Sequence, residues 1–360
     1  MYDFAVVGVG PAGARFARRA AEAGYEVVAF EQGEVGEPLA CSGHVSLDVW
    51  DYVPADARSS LLQNEIRGAR FHVGGPDSRG YPFYREAPIS NAIDRVGLDR
   101  ELAAAARAAG AEVREHHSVT SVSERDDHVE LVVRGPTGTE SIAASMVAGC
   151  DGPGSRVREE VGLPRPGEFL HGVLGFAPGP DDEDFVDVHL TVPGFFAWRI
   201  PRGDAGVEYG LAARPGADVG ARFDRLVTAY GVDLDRRCSG VIPVGPPETV
   251  TGDRTFLIGD AGGQTKPFTG GGIRYGMAAA DHAAEAIDSA DPGTLSDYEA
   301  AWREDLARDI DLGRWVRRAY DLPAPLQHLG LWLFSGKIGV HMDRPSSLFS
   351  WKQMRAMFSR

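Results

Sequence analysis

Residues 8–13 read GVGPAG and place Gly8, Gly10 and Gly13 in G-x-G-x-x-G order, with Ala12 inside the motif. Between a strand and a helix, the first glycine permits a tight turn and the second lets a pyrophosphate approach the backbone. The third allows the helix to close on the strand. The N–H groups at the helix start then face the anion. Glu31 stands eighteen residues beyond Gly13, with Gln32 beside it, where an acid accepts hydrogen bonds from ribose hydroxyls. A second stretch, GDAGGQTKPFTGGGI at 259–273, holds six glycines in fifteen residues and Lys266, one of the chain's three lysines. Glycine at that density serves a backbone that turns sharply or comes close to a ligand.

The elements that must position these residues follow from the apolar pattern. YDFAVVGV is a short buried-type strand, and PAGARFARRAAEAG has helical composition with Pro11 near its start and Gly24 at its stop. YEVVAFEQ is a second strand ending at the acid, so the first 33 residues form a βαβ unit with a parallel pair. Residues 34–90 are irregular and rich in Gly and Pro. The stretch 98–109 is helical, and strand-like runs follow near 117–124, 128–134 and 141–149. Residues 165–250 read mostly as strands, RTFLIGD returns the chain to the first unit, and helices are expected over 271–289 and 295–320.

The fold class predicted is α/β. A Rossmann-like dinucleotide-binding domain with a parallel sheet (1–65, 91–164 and 251–290) is interleaved with a mainly antiparallel β-sheet substrate domain (66–90 and 165–250). A C-terminal helical region (291–360) follows.

Composition narrows the function classes. A formal net charge of −15 disfavours nucleic-acid binding. Cys41, Cys150 and Cys238 form no CxxC or Cys/His ligand spacing, so neither a metal site nor a disulfide framework is expected, and a reducing cytoplasmic location fits. His116 and His117 adjoin at a strand start, which favours a solvated or packed role over metal ligation. The N-terminus has no basic leader, so no signal peptide is expected. No apolar run reaches the about 18 residues of a membrane span. The segment 323–360 carries five Lys or Arg against Asp343, interleaved with Trp332, Phe334, Phe349, Trp351 and Phe358. It reads either as a peripheral contact with the inner face of the cell membrane or as a helix packed on the acidic body.

Two further turns, CDG at 150–152 and GD at 259–260, complete a pattern that resembles the FAD-dependent glutathione-reductase-like superfamily, in its hydroxylase-like branch. The resemblance spans residues 1 to about 290 and implies FAD as cofactor. It implies that Asp260, beside Gly259, contacts the ribityl–pyrophosphate portion, and that Gly271, Gly272 and Ile273 lie against the flavin ring at a helix N-terminus. It likewise places Arg95, ahead of the helix at 98, near the cofactor, and gives Val119 a backbone contact to adenine. For Asp151 and Asp260 a helix N-cap is the alternative role.

Three segments resemble the geranylgeranyl reductase family more closely than the aromatic hydroxylases. GDAGGQTKPFTGGGIRYGM lacks the hydroxylases' GDAAH histidine, having Gly263 there. GEPLACSGHVS is similar to that family's cysteine-bearing segment beside the flavin, implying Cys41 and Ser42 there. PGFFAWRIP fits its P-x-x-[YF]-x-W-x-[FI]-P pattern. The resemblance implies Phe196, Trp198 and Pro267 as substrate contacts, with Cys41 as a candidate catalytic residue. The bland readings are a buried thiol for Cys41, sheet core for the aromatics, and a solvated loop for Lys266. His44 departs from the family's usual small residue and reads as packing or surface.

The activity implied is saturation of isoprenoid C=C bonds in geranylgeranyl chains of membrane glycerophospholipids or their precursors, by hydride from reduced flavin N5 plus protonation. Ferredoxin or NAD(P)H would be the electron donor, since no second G-x-G-x-x-G marks a nicotinamide domain. A monooxygenase or halogenase of a hydrophobic small molecule, or a prenylated-quinone reductase, is the alternative. Halogenation is disfavoured because no lysine precedes Lys266.

Overall fold

The structure, a computed structural model, describes residues 1–38 and 41–336. The chain opens with β1 (Tyr2–Val7), α1 (Pro11–Glu22) and β2 (Val27–Phe30). Short pieces follow: β3 (His44–Ser46), α2 (Arg58–Leu61), β4 (Leu62–Ile66), β5 (Gly68–His72), β6 (Gly80–Tyr84) and β7 (Ser90–Ile93). Then come α3 (Arg95–Ala108), β8 (Glu112–Arg114), β9 (Ser118–Glu124), β10 (Val129–Gly135), β11 (Gly138–Gly149) and α4 (Arg156–Glu160). The middle comprises β12 (Phe169–Ala177), β13 (Phe185–Val192), β14 (Phe195–Pro201), β15 (Val207–Ala213), α5 (Val219–Tyr230) and β16 (Arg236–Pro243). After it stand β17 (Thr255–Leu257), α6 (Ile273–Ala286), α7 (Leu295–Arg317) and α8 (Ala324–Phe334).

The first sheet has the order β8-β2-β1-β11-β10-β9, with β17 also beside β11. Its pairs β8–β2, β2–β1, β1–β11 and β11–β17 are parallel, while β10 runs antiparallel to β11 and β9. The parallel strands are apolar runs because they are covered on both faces. All of β2 and Phe4 to Val7 of β1 are buried. α1 packs on α3 and α6, and buries Gly13, Ala14, Phe16, Ala17 and Ala20 at helical spacing. Phe4, Phe16 and Phe256 meet edge to face beneath it, with centroids 5.2 to 6.3 Å apart.

The register lines up the strand ends. Val7 is opposite both Phe30 and Gly149, and Gly149 is opposite Leu257. The turns after β1, β11 and β17 therefore leave one edge of the sheet, its carboxyl edge, which is where open α/β sheets bind ligands.

The second sheet, β16-β12-β15-β14-β13-β5-β6, is antiparallel except for β13 with β5. On one face α5 covers it, with Phe223 and Leu226 against Val173, Tyr209 and Leu211. The other face presents Leu174, Val186, Val188, Trp198 and Ile200. A small sheet, β3-β7-β4, stands beside it. α7 packs on α6 and buries Tyr298, Trp302 and Leu306.

The α/β class and the pairing of a parallel with an antiparallel sheet match the sequence expectation. Several bounds differ for local reasons. α3 begins at Arg95 rather than 98, because the Asp94 side chain accepts from the N–H groups of Val96 and Gly97 and caps it there. α6 runs 273–286 rather than 271–289, and the irregular stretch 34–90 holds four short strands and the first residue of a fifth. Of the basic and aromatic segment, α8 is seen, while 337–360 lies outside the described residues.

The loop after β17 is locked from behind. Gly259 N–H donates to Gln264 Oε1 (2.7 Å), Gln264 Nε2 to Tyr298 Oη (2.9 Å), and Tyr298 Oη to Leu257 O (2.8 Å), all buried. Tyr298→Phe strips a donor from Leu257 O and an acceptor from Gln264. It should cost about 1–3 kcal/mol, read as a lowered denaturation midpoint with an unchanged m-value.

Candidate functional site

Three glycine-bearing turns converge at the carboxyl edge. Gly8 has φ +93°, and a Cβ there would lie 2.5 Å from Cys150 O. A Cβ at Gly13 would overlap Gly8 O. Both positions therefore need glycine for close approach, as the spacing predicts. α1 begins at Gly10-Pro11 with no side-chain cap and no acid in its first turn, which leaves its N–H groups for an anion. Glu31 at the end of β2 accepts from Val9 N–H (2.9 Å) and Gln32 N–H (2.9 Å), and a carboxylate still has lone pairs for ribose hydroxyls.

The second turn is shaped by Asp151. Its Oδ2 accepts from Arg156 and Val157 N–H at the start of α4, whose N-cap is Ser155, while its Oδ1 is buried without a partner among the described residues. In the third turn Gly259 (φ +69°) and Gly263 (φ +65°) adopt left-handed conformations. A side chain at 263 would come within 2.7 Å of Gly245 O, so a hydroxylase-like histidine has no room there. α6 then starts after Gly272, again without a side-chain cap or an acid in its first turn.

One cavity of about 520 Å³ joins these turns to the apolar face of the second sheet. Gly10, Ala12, Gly259, Asp260, Gly271, Gly272 and Ile273 line one end, with Cys41, Ser42 and Arg95. Leu174, Val186, Val188, Phe196, Trp198 and Ile200 line the other. Phe196 stacks on Phe195 (4.3 Å between centroids) and stands edge-on to Trp198 and Tyr320. Trp198 Nε1 donates to Glu208 Oε1 (2.9 Å), and Arg202 Nη1 bridges Glu208 Oε2 (2.8 Å). Gly210 leaves the indole its space, since a Cβ there would overlap the ring.

The ionisable groups at the cofactor end are buried (Arg95, Asp99) or half-buried (Asp260, Cys41) and act on one another. Burial pushes the Asp260 carboxyl up to about 6, against the opposing pull of Arg95. Burial disfavours the Arg95 cation, but Asp99, which it bridges, and Cys41 outweigh that and raise its pKa. Burial also pushes the Cys41 thiol up, with Arg95 opposing. Arg95 Nε and Asp151 Oδ1 are buried with no partner among the described residues, and two uncapped helix starts meet at a glycine cradle. That set of donors, acceptors and bare backbone fits a flavin dinucleotide.

Twelve of the nineteen residues singled out from sequence lie on the cavity wall. Gly8 and Gly13 are behind it as packing glycines, and Glu31 and Gln32 end β2. Val119 is on edge strand β9 opposite Val133, and Asp151 accepts from the first turn of α4. Pro267 is not among the residues lining the cavity: with Phe268 it packs against Gly313 of α7, while Lys266 and Phe268 reach the cavity. Lys266 is 4% exposed, so the solvated-loop reading of it fails. Sequence reasoning missed Ser46, Ser90, Tyr320 and the Glu208–Arg202 pair and read His44 as surface or packing. Of these only the lone buried-strand charges, Glu208 and Arg202, offered a signal.

Gly13→Ala should fold poorly around the cradle and lose FAD on purification, seen as a colourless protein. Asp260→Asn separates binding from stability. The folded state holds the Asp260 proton more tightly than the unfolded chain, so this contribution is favourable near pH 4 and is lost as pH rises to about 6. FAD-free Asp260→Asn should therefore exceed wild type in stability by about 3 kcal/mol at pH 7, with the difference shrinking toward pH 4, while its FAD affinity falls. Urea melts at the two pH values and flavin titration check both.

Known proteins resemble this arrangement. The family profile described as an FAD binding domain matches residues 1–179. Digeranylgeranylglycerophospholipid reductase of Methanothrix thermoacetophila is 32% identical over 352 residues, covering 89% of this chain and 88% of that one. Digeranylgeranylglycerophospholipid reductase 2 of Methanothermobacter thermautotrophicus is 30% identical over 342 residues, with the same coverage of each. The crystal structure of a geranylgeranyl bacteriochlorophyll reductase-like protein from Thermoplasma acidophilum superposes with a TM-score of 0.87 at 23% identity. It covers 99% of this chain and 95% of that chain, and so shares the fold. The cradle, the apolar chamber and these relatives lead to one conclusion: the chain is an FAD-dependent oxidoreductase of the digeranylgeranylglycerophospholipid reductase family.

Proposed function

We propose that this protein saturates the isoprenoid C=C bonds of geranylgeranyl chains in membrane glycerophospholipids or their precursors. The observation that carries the reading is the continuity of the cavity. The dinucleotide cradle opens directly into an apolar, aromatic-lined chamber, an arrangement that suits a hydrocarbon brought to the flavin.

FAD, when bound and reduced, supplies the hydride. The chain's own residues do the rest. The N–H groups that open α1 would hold the pyrophosphate, with Asp260 toward the ribityl end and Val119 toward adenine. The positive end of α6, at Gly271 to Ile273, favours negative charge on the adjoining ring edge. Cys41, Ser42 and Arg95 close the flavin's flank. Phe196 and Trp198 align the chain and keep water from an unactivated alkene, where alignment and water exclusion carry much of the rate effect. Trp198 can do this because the Glu208–Arg202 pair fixes its indole.

Reducing equivalents come from a separate donor, ferredoxin or NAD(P)H. The lipid is taken up at the inner membrane face. α8 supports this contact: it has no charged residue and leaves Leu326, Leu329, Trp332, Leu333 and Phe334 exposed beside β6, whose Phe83 lines the cavity. No helix among the described residues is long and apolar enough to cross a membrane.

Anaerobic, dithionite-reduced enzyme incubated with a geranylgeranyl glycerol lipid should yield products heavier by two hydrogens for each double bond saturated. An unchanged lipid mass, with oxygen uptake under NAD(P)H and air, would replace the reductase by an oxygenase. Vesicles containing anionic lipid should carry the protein on flotation, and Trp332→Ser with Leu329→Ser should release it.

A further inference from the structure

The cavity is apolar over most of its wall, and an alkene offers nothing to hydrogen-bond. A polar recess in that wall therefore needs a reason of its own. The recess is formed by β3 and β7, which pair antiparallel with Ser46 opposite Ser90 and His44 opposite Ala92. His44 Nε2 lies 2.8 Å from Ser90 Oγ, and His44 N–H donates to Ser42 Oγ (3.2 Å). His44, Ser46 and Ser90 all line the cavity. Ser46 is 2% exposed, and its Oγ has no hydrogen-bond partner among the described residues. A buried hydroxyl left unpaired costs about 1–3 kcal/mol, so Ser46 faces something that the empty protein does not contain, such as an ordered water.

The recess belongs to the cofactor end of the cavity. β3 packs against α6, and the opening residues of α6, Gly272 to Arg274, share the wall with it. The other ionisable groups that line the cavity are Cys41, Arg85, Arg95, Cys150, Asp260, Lys266, Arg274 and Tyr320. From β7, Ser90 meets the ring, while Asn91 is engaged by Trp50. Cys41 is the less suited acid. Its Sγ is turned to Ser42 O (3.3 Å), and burial holds its proton tightly.

Resting on the reductase reading above, we propose that His44 is the acid that protonates the alkene. The C=C π bond takes a hydride from the reduced cofactor at one carbon. The other carbon takes the proton of the His44 imidazolium, leaving a saturated CH–CH unit, oxidised cofactor and neutral imidazole. Ser90 Oγ holds the ring toward the cavity, and Ser46 seats the water through which the ring regains a proton from solvent. Histidine suits the step because its proton is exchangeable near neutral pH.

His44→Gln and His44→Ala should bind FAD as wild type does. In single turnovers of the dithionite-reduced holoenzyme with a geranylgeranyl glycerol ether, His44→Gln should saturate the chain about 100-fold more slowly. Ser90→Ala should be slowed less, and free imidazole should restore much of the rate to His44→Ala. Independently of turnover, the imidazole ¹⁵N signals of the oxidised holoenzyme that vanish in His44→Gln should shift on addition of geranylgeraniol. A wild-type rate in His44→Gln, or His44 signals unmoved by geranylgeraniol, overturns the assignment while the reductase reading stands. A wild-type enzyme that leaves the ether unsaturated overturns both.

Discussion

The approach of α1 to the ends of β1 and β11 leaves no room for a side chain. Gly8 lies against the Cys150 carbonyl, and Gly13 against Gly8 itself. Those contacts decide how far the start of α1 projects past the sheet edge, and hence where its N–H groups point. The same economy recurs on the far side. Gly276 of α6 would, with a Cβ, come within 3.1 Å of Gly259 Cα and 3.2 Å of Ala12 Cβ. Two helix N-termini are thereby brought to one cleft, and their positive ends add to a field that suits a dianionic pyrophosphate and a reduced ring.

The second and third turns are held to each other by Arg158. It is fully buried, donates to Ala261 O (2.9 Å) and Pro153 O (2.8 Å), and so stitches the turn after β11 to that after β17. Burial pushes its pKa down, and the nearby Arg165 adds to that; its compensation comes from carbonyl dipoles and from Asp151. Asp260 is costlier still, because its charge is buried with Arg95 as its opposing influence. Such groups lower the stability of the empty protein and are relieved when a polar ligand takes their free hydrogen bonds. The cradle is thus stiff through glycine and Arg158, and electrostatically unfinished without its ligand.

What could be read from sequence was whatever depends on spacing within one turn. G-x-G-x-x-G, the acid ending β2 and the GD turn are each local, so a few neighbouring residues specify them. Residues brought together by tertiary pairing could not be read in the same way. β3 is three residues long and its partner β7 four, both within a stretch with no periodicity to detect, so nothing local announces that His44 and Ser90 share a wall. The direction of Pro267 could not be read for a related reason: in a loop without regular alternation, adjacency to Lys266 and Phe268 does not fix which of them turns to the cavity. Arg95 lay inside α3 instead of before it because a cap at Asp94 outweighs the glycine at 97.

The chamber itself resolves a conflict between two demands. Saturating an unactivated alkene requires a dry wall, yet the addition consumes a proton as well as a hydride. The second sheet meets the first demand by keeping its polar groups behind the wall. Glu208 is wholly buried, and both its oxygens are engaged, by Trp198 and Arg202, so the indole it steers shows the cavity an apolar ring. On the opposite face of β13, Asp187 and His189 point away from the chamber into a separate network with Arg70, His72 and Tyr230. The small sheet meets the second demand by placing His44, Ser46 and Ser90 together in one recess beside α6, across the cavity from the apolar face of the second sheet.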